Sequence, residues 1–332
     1  MEYERTPKVS VIAPIYGVEQ FIGKAAKSMM EQTLHDVEFI FVDDCTQDRS
    51  IEVLCEVISH YPNRSGQVSI IKHNTNKGLP AARNTGLEVA RGEYIFHWDS
   101  DDYAEKDMLE YLYNEAKRNG NDYVWCDWFL TFNSNSRIMR QPTAATPREA
   151  LSIVLAGCMK YNVWNKLVAR SLYTDSKIRF PEGYSMGEDM TMIKLLTQAK
   201  SVGHVAKPLY HYIRTNSSAM TQIYSDAHLK QLLKNTTDVC YFLRNQIIDN
   251  SIEREISWFK LNVKLPFLFS GRQADMVLWK KWFPESNRDI MSNHIQALRT
   301  RILQWTAAHN LSLVNRAYNI LVYKFIYGIL YK

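Results

Sequence analysis

Hydrophobic and polar positions follow two periods over the first 130 residues. "VSVIAPIY" (9–16), "VEFIFVDD" (37–44), "VSIIKHN" (68–74) and "EYIFHWD" (93–99) are short apolar runs rich in β-branched and aromatic residues. Such runs suit strands buried on both faces. Between them, "EQFIGKAAKSMMEQT", "DRSIEVLCEVISHY" and "LPAARNTGLEVARG" read as amphipathic helices with polar starts. This alternation predicts right-handed βαβ units and an α/β fold with a doubly wound, mostly parallel, Rossmann-like sheet. "EKDMLEYLYNEAKRNG" (105–120) predicts another helix ending at Gly120, and "DYVWCDWFLTF" a further strand.

From about residue 135 the pattern loosens. "SNSRIMRQPTAATPREA" is a polar connection, followed by an apolar helix near 148–158. "YNVWNKLVARSLY", "GEDMTMIKLLTQAK" and "LYHYIR" predict strand and helix pieces closing over the first half. Past about 225 the chain reads as helical and rich in Trp, Phe and Leu. The expected organisation is an α/β domain over 1–225, with halves at 7–130 and 131–225, and a helical C-terminal extension over 226–332. No internal repeat or low-complexity stretch interrupts it.

Composition narrows the class. With 46% hydrophobic residues the chain can bury a full core. Its five cysteines are scattered and never spaced CxxC, which argues against a disulfide framework or zinc site and fits a reducing compartment. "MEYERTPKVS" has neither the basic nor the apolar region of a secretory signal, so a cytoplasmic location is expected. The net charge of +5 is uneven: from residue 251 onward there are 12 Lys and Arg against 5 Asp and Glu. No RNP, zinc-finger or GXXG signature accompanies it, so no nucleic-acid partner is expected. The terminal "LVNRAYNILVYKFIYGILYK" is too interrupted, at Lys324, for a spanning helix. Packing or self-association through the C-terminal helices is its expected role, and peripheral contact with the inner face of a membrane the alternative.

The chemistry concentrates at strand ends. "HWDSDDY" (97–103) places Asp99, Asp101 and Asp102 within four positions after a buried run. Neighbouring carboxylates repel and raise one another's pKa, which a chain tolerates at a solvated turn or around a cation. In an open parallel sheet, ligands bind outside the carboxyl ends of the strands. "APIYG", "VDDCTQD" and "WDSDDY" all fall there. Neither G-x-G-x-x-G nor G-x-x-x-x-G-K-[ST] is present, so a phosphate group would be held through a metal on Asp side chains rather than by a glycine-rich loop.

"VSVIAPIYGVEQFIGKAAKSMMEQTLHDVEFIFVDDCTQDRS" followed by "NKGLPAARNTGLEVARGEYIFHWDSDDY" resembles the family-2 glycosyltransferases of the GT-A fold, over roughly residues 7–220. The resemblance implies an inverting transfer of sugar from a nucleoside-diphosphate donor, usually UDP-linked, with Mg²⁺ or Mn²⁺. The acceptor it suggests is a hydroxyl of a glycan or lipid-linked glycan, in cell-surface polysaccharide synthesis. It makes 7–130 the nucleotide-sugar half and 131–225 the acceptor half. By the same resemblance Pro14 and Tyr16 line the nucleobase pocket, Asp44 bonds the base, and Asn76 and Arg83 complete the nucleotide site. Asp99 lies nearer the ribose and Asp101 on the metal. Glu188 and Asp189 match an acidic pair opening a helix, with Asp189 the general base. "VWNKL" (163–167) and "YHYIRTNSSAMT" (210–221) resemble segments near the acceptor and the diphosphate.

Plainer roles compete for several of these residues. Tyr16 can be strand-end packing, and Asp43, Asp44 and Asp48 can serve turns or helix starts. Arg83 can be a solvated charge, and Glu188 with Asp189 can favour a helix N-terminus. Asp102 can touch the metal or cap the next helix. His211 and Arg214 can balance a leaving diphosphate or lie on the surface. A nucleotidyltransferase would need a glycine- and basic-rich loop after the first strand, which "APIYGVEQF" lacks. A non-catalytic nucleotide- or sugar-binding subunit is the remaining alternative, against which intact Asp99, Asp101 and Asp189 speak.

Overall fold

A computed structural model describes residues 6–214, 225–269 and 272–311. These residues form two compact units. One comprises the chain up to Pro147 together with Tyr161–Asn235; the other comprises Arg148–Lys160 and the residues from Thr236 on. Packing therefore divides the chain differently from the expected 225/226 junction. The helix Pro147–Leu155 belongs almost wholly to the second unit, and the later division falls inside the helix Asp226–Gln246. Periodicity shows that a segment is a helix but not which helices it packs against. Here Arg148 pairs with Glu255 at 2.9 Å, and Ser152 Oγ donates to Glu255 Oε1 at 2.8 Å.

The first unit is built on a nine-stranded sheet. Its strands are β1 (Val9–Ile15), β2 (Val37–Asp43), β3 (Val68–Lys72), β4 (Tyr94–His97), β5 (Tyr103–Ala104), β6 (Tyr123–Thr131), β7 (Ser136–Met139), β8 (Lys166–Ala169) and β9 (Val202–Ile213). The order is β3-β2-β1-β4-β8-β6-β9-β5, with β7 beside β6. The run β3-β2-β1-β4 is parallel throughout, with Val9 opposite both Val37 and Tyr94. β8 is antiparallel to β4 and β6, while β9 runs parallel to β6. The expected doubly wound α/β sheet is thus present, with antiparallel joints in its second half.

The apolar runs of β1, β2 and β4 are covered on both faces, as helical crossovers require. The helices Glu19–Met30, Ser50–Ser59 and Leu79–Val89 make those crossovers. The last packs closely on β1: a Cβ added to Gly86 would lie 2.4 Å from Ile12 Cγ2. β2 lies on one side of β1 and β4 on the other, so strand order reverses at β1. The crevice at the carboxyl ends of β1 and β4 is where such a sheet receives its ligand.

The second unit is helical, with Ile252–Lys264, Gln273–Lys281 and Leu298–Ala308 among its members. Phe259, Trp279, Phe267 and Leu303 are buried in it. Lys264 is buried too, and its Nζ donates to Trp282 O, Phe283 O and Asn287 Oδ1 at 2.8–3.2 Å. Burial pushes its pKa down to about 8. Among the described residues no helix is long and apolar enough to cross a membrane. The segments 215–221 and 313–332, which the sequence associates with the diphosphate and with packing or membrane contact, lie outside the described residues.

Candidate active site

The end of β2 presents a buried carboxylate in a fixed orientation. Asp44 Oδ1 accepts from Lys77 N at 2.8 Å and lies 2.7 Å from His73 Nδ1, while Oδ2 accepts from Gly78 N at 2.8 Å. His73, also buried, has its Nε2 2.9 Å from Thr85 Oγ1. Gly78, at φ +87°, makes the turn that presents two successive N–H groups to Asp44 and starts the helix Leu79–Val89. Asn76 is exposed in the same turn. Asp43 and Asp48 serve local structure. Asp43 Oδ1 accepts from Thr46 N, and Asp48 accepts from Ser50 N and Glu19 N, tying two helix starts together. At the end of β1, Tyr16 is 54% exposed, so strand-end packing does not account for it. Pro14 O accepts from Ser100 Oγ at 2.6 Å, which joins the β1 end to the acidic turn.

Asp99, Asp101 and Asp102 each offer a carboxylate oxygen, all within 4.8 Å of one another. Asp102 is buried, and its Oδ1 accepts from Ile213 N at 2.7 Å. It therefore ties the turn to β9 rather than capping the following helix. Its Oδ2 is buried and has no partner among the described residues. Burial first, then the charges of Asp101 and Asp99, pushes its carboxyl well above the usual range. Three close oxygens with an unsatisfied buried one among them fit a hard divalent cation. Asp99 N donates to the Tyr210 hydroxyl at 3.2 Å, and Tyr210 stacks on Trp164 at 4.7 Å.

Arg83 joins this turn to the distant acidic pair. It is buried, not solvated. Its Nη2 lies 2.7 Å from Asp99 Oδ1 and its Nε 3.2 Å from Glu188 Oε1. Burial alone would lower its pKa, but Glu188 and Asp99 hold it above the usual range. Its Nη1 and Glu188 Oε2 have no partner among the described residues. The neighbouring Asn84 donates to Phe180 O at 3.0 Å and accepts from Phe180 N at 2.9 Å. Arg83, Asn84 and Thr85 thus connect one helix to the β4 turn, to the 180–188 segment and, through His73, to Asp44.

Glu188 and Asp189 form a 3₁₀ turn that leads into the helix Thr191–Leu196. Glu188 is pushed up to about 8, by burial first and then by Asp189 and Asp99, with Arg83 opposing. Asp189 is pushed up to about 6, by burial first, with Arg83 and Lys166 opposing and Asp99 adding to the rise. Lys166, in "VWNKL", is buried, and its Nζ donates to Asn162 O at 2.8 Å and Asn165 Oδ1 at 2.7 Å. Burial pushes it down to about 7, against the pull of Cys126 and Asp189.

Two residues emerge here that sequence reasoning did not select, His73 and Lys166. For Lys166 the signal was its place in "VWNKL", the segment the resemblance sets near the acceptor; for His73 there was none beyond its place at a strand end. His211 is a packing residue. Its ring lies between Tyr103 at 4.2 Å and Phe129 at 4.4 Å, with Nε2 2.9 Å from Glu105 and Nδ1 3.1 Å from Thr131. Arg214 is exposed.

The model of glycosyl transferase family 2 matches residues 10–183, which carry the parallel strands, the acidic turn and Arg83. The chain belongs to that family. It is 29% identical over 313 residues to the Bacillus subtilis (strain 168) protein named uncharacterized glycosyltransferase EpsJ, covering 91% of this chain and 87% of that one. It is also 29% identical over 214 residues to the poly(ribitol-phosphate) beta-glucosyltransferase of Bacillus spizizenii, covering 62% of this chain and 32% of that one. Among solved structures it is similar to S. aureus TarS 1–349 in complex with UDP-GlcNAc. The TM-score is 0.68 at 18% identity, over 98% of this chain and 93% of that one. The fold is the GT-A fold of glycosyltransferases, and the chain is a glycosyltransferase by family.

Proposed function

We propose that this chain is an inverting, metal-dependent glycosyltransferase. It transfers a sugar from a UDP-linked donor to a hydroxyl of a glycan or lipid-linked glycan, on the cytoplasmic side, in cell-surface polysaccharide synthesis. The observation that carries this reading is the Arg83 bridge, which binds the acidic turn at Asp99 to Glu188 beside Asp189. A relative named a poly(ribitol-phosphate) beta-glucosyltransferase, and a structural neighbour solved in complex with UDP-GlcNAc, support the donor and acceptor class.

In this reading Tyr16 and Pro14 receive the nucleobase, with Asp44 held by His73 and two backbone N–H groups to face it. Asn76 and Arg83 complete the nucleotide site, and Asp99 faces the ribose. Asp101, with Asp99 and Asp102 around it, would hold Mg²⁺ or Mn²⁺, which supplies counter-charge to a departing diphosphate.

Asp189 is the general base. With a pKa raised to about 6 it is largely ionised at neutral pH, yet basic enough to take a hydroxyl proton as the oxygen attacks. The acceptor oxygen bonds to the anomeric carbon, the proton passes to Asp189, and the bond to the diphosphate oxygen breaks with its electron pair. One displacement inverts the anomeric centre and needs no protein nucleophile. A panel of UDP-sugars with Mn²⁺ tests the reading by donor turnover and product anomer. A retained configuration, or turnover unaffected by chelator, counts against it.

A further inference from the structure

Among the described residues, the helical unit carries an apolar face that packing leaves open. In the helix Leu298–Ala308, Leu303, Gln304, Thr306 and Ala307 are buried, and Gln304 Nε2 donates to Leu261 O at 3.2 Å. On the opposite face Leu298, Ile302 and Trp305 are 55%, 47% and 40% exposed. Their spacing of four and three residues places them in one stripe. Such a face on a helix of a globular protein is ordinarily charged or polar. Met291 and Ile295, just before the helix, are exposed as well, and Arg301 Nη1 donates to Met291 O at 3.2 Å, holding that turn against it.

Charge distinguishes what covers the stripe. At 100° per residue, Arg299 lies on one side of it and Arg301 on the other. The helix contains no acid, nor does any residue from Ile290 to the end of the sequence. A second copy pairing through the same face would set arginine against arginine, because a two-fold contact uses one patch twice. An anionic bilayer surface instead offers an apolar layer for Leu298 and Ile302, an interfacial depth for Trp305 and negative charge for the flanking arginines.

We propose that this stripe is a membrane-interface contact through which the chain lies on an anionic lipid surface. It stands apart from the transfer chemistry, since none of its residues belongs to the candidate active site.

The test is co-sedimentation of the full chain with vesicles of phosphatidylcholine containing phosphatidylglycerol, and with phosphatidylcholine alone. Wild type should bind the anionic vesicles, and more weakly at high salt. The double variant Leu298→Gln/Ile302→Gln should reduce that partitioning by about ten-fold or more. Arg299→Glu should weaken binding to anionic vesicles alone, and the melting temperature of each variant should match wild type. Undiminished vesicle binding by the double variant would overturn the proposal. So would a wild-type dimer in sedimentation velocity that the double variant dissociates, which would identify a second copy as the occupant. A lowered melting temperature with unchanged vesicle binding would show that the chain itself covers the stripe, with the same consequence.

Discussion

Arg83 Nη2 lies 2.7 Å from Asp99 Oδ1, and the same guanidinium reaches Glu188 through Nε at 3.2 Å. Arg83 and Glu188 are buried, so the guanidinium depends on its two acidic partners for compensation. Replacing Arg83 by Met should remove the cation that Asp99 and Glu188 share. Removing one member of a buried ion group costs about 3–5 kcal/mol. Urea unfolding should show a loss of that order, together with loss of transfer. A variant as stable as wild type would mean that the bridge contributes nothing to the fold.

Glu188, raised from an ordinary 4.5 to about 8, binds its proton more tightly in the folded chain than in the unfolded one. Its contribution to stability is fully present below about pH 4.5 and is lost as pH rises through about 8. Glu188→Gln removes that titration. The melting temperature of the variant should therefore fall less steeply than that of wild type between these limits. Parallel curves would assign the pH dependence to other groups.

Asp189→Asn should lower transfer by ~10²–10⁴ while leaving UDP-sugar affinity close to wild type. Asparagine keeps the size and a hydrogen-bond acceptor but cannot take up a proton at neutral pH. In wild type the transfer rate should rise with pH up to about 6 and then level, because the ionised carboxylate is the active form. Near-normal turnover by the variant would remove Asp189 from the role of base. Loss of both binding and stability would make it a structural acid.

Asp101→Asn should weaken the thermal protection given by UDP chiefly when Mn²⁺ is present. A ligand at 100 times its Kd adds about 2.7 kcal/mol to the stability of the state that binds it. Equal protection of wild type and variant across a metal titration would count against a metal on Asp101.

The βαβ alternation and the position of the acidic turn after the fourth strand are legible in the local order of residues. The same order places Glu188 and Asp189 at a helix start. These features are local: a run of "YIFH" is a buried strand, and "WDSDDY" its exit, whatever surrounds them. Tertiary structure decided what the charges do. The motif assigns Arg83 to the nucleotide site, with a solvated charge as the plainer reading, and only contact with the acidic turn and the 180–188 segment makes it a buried strut between two acids. His211 looked equally available for a phosphate until two aromatic rings closed over it. The helix Pro147–Leu155 offered an apolar face with no mark of its partner, and its assignment to the second unit came from Arg148 and Ser152 meeting Glu255. Burial and pairing depend on residues brought together from far along the chain, and those same contacts shift the ionisation of Glu188, Asp189 and Lys166.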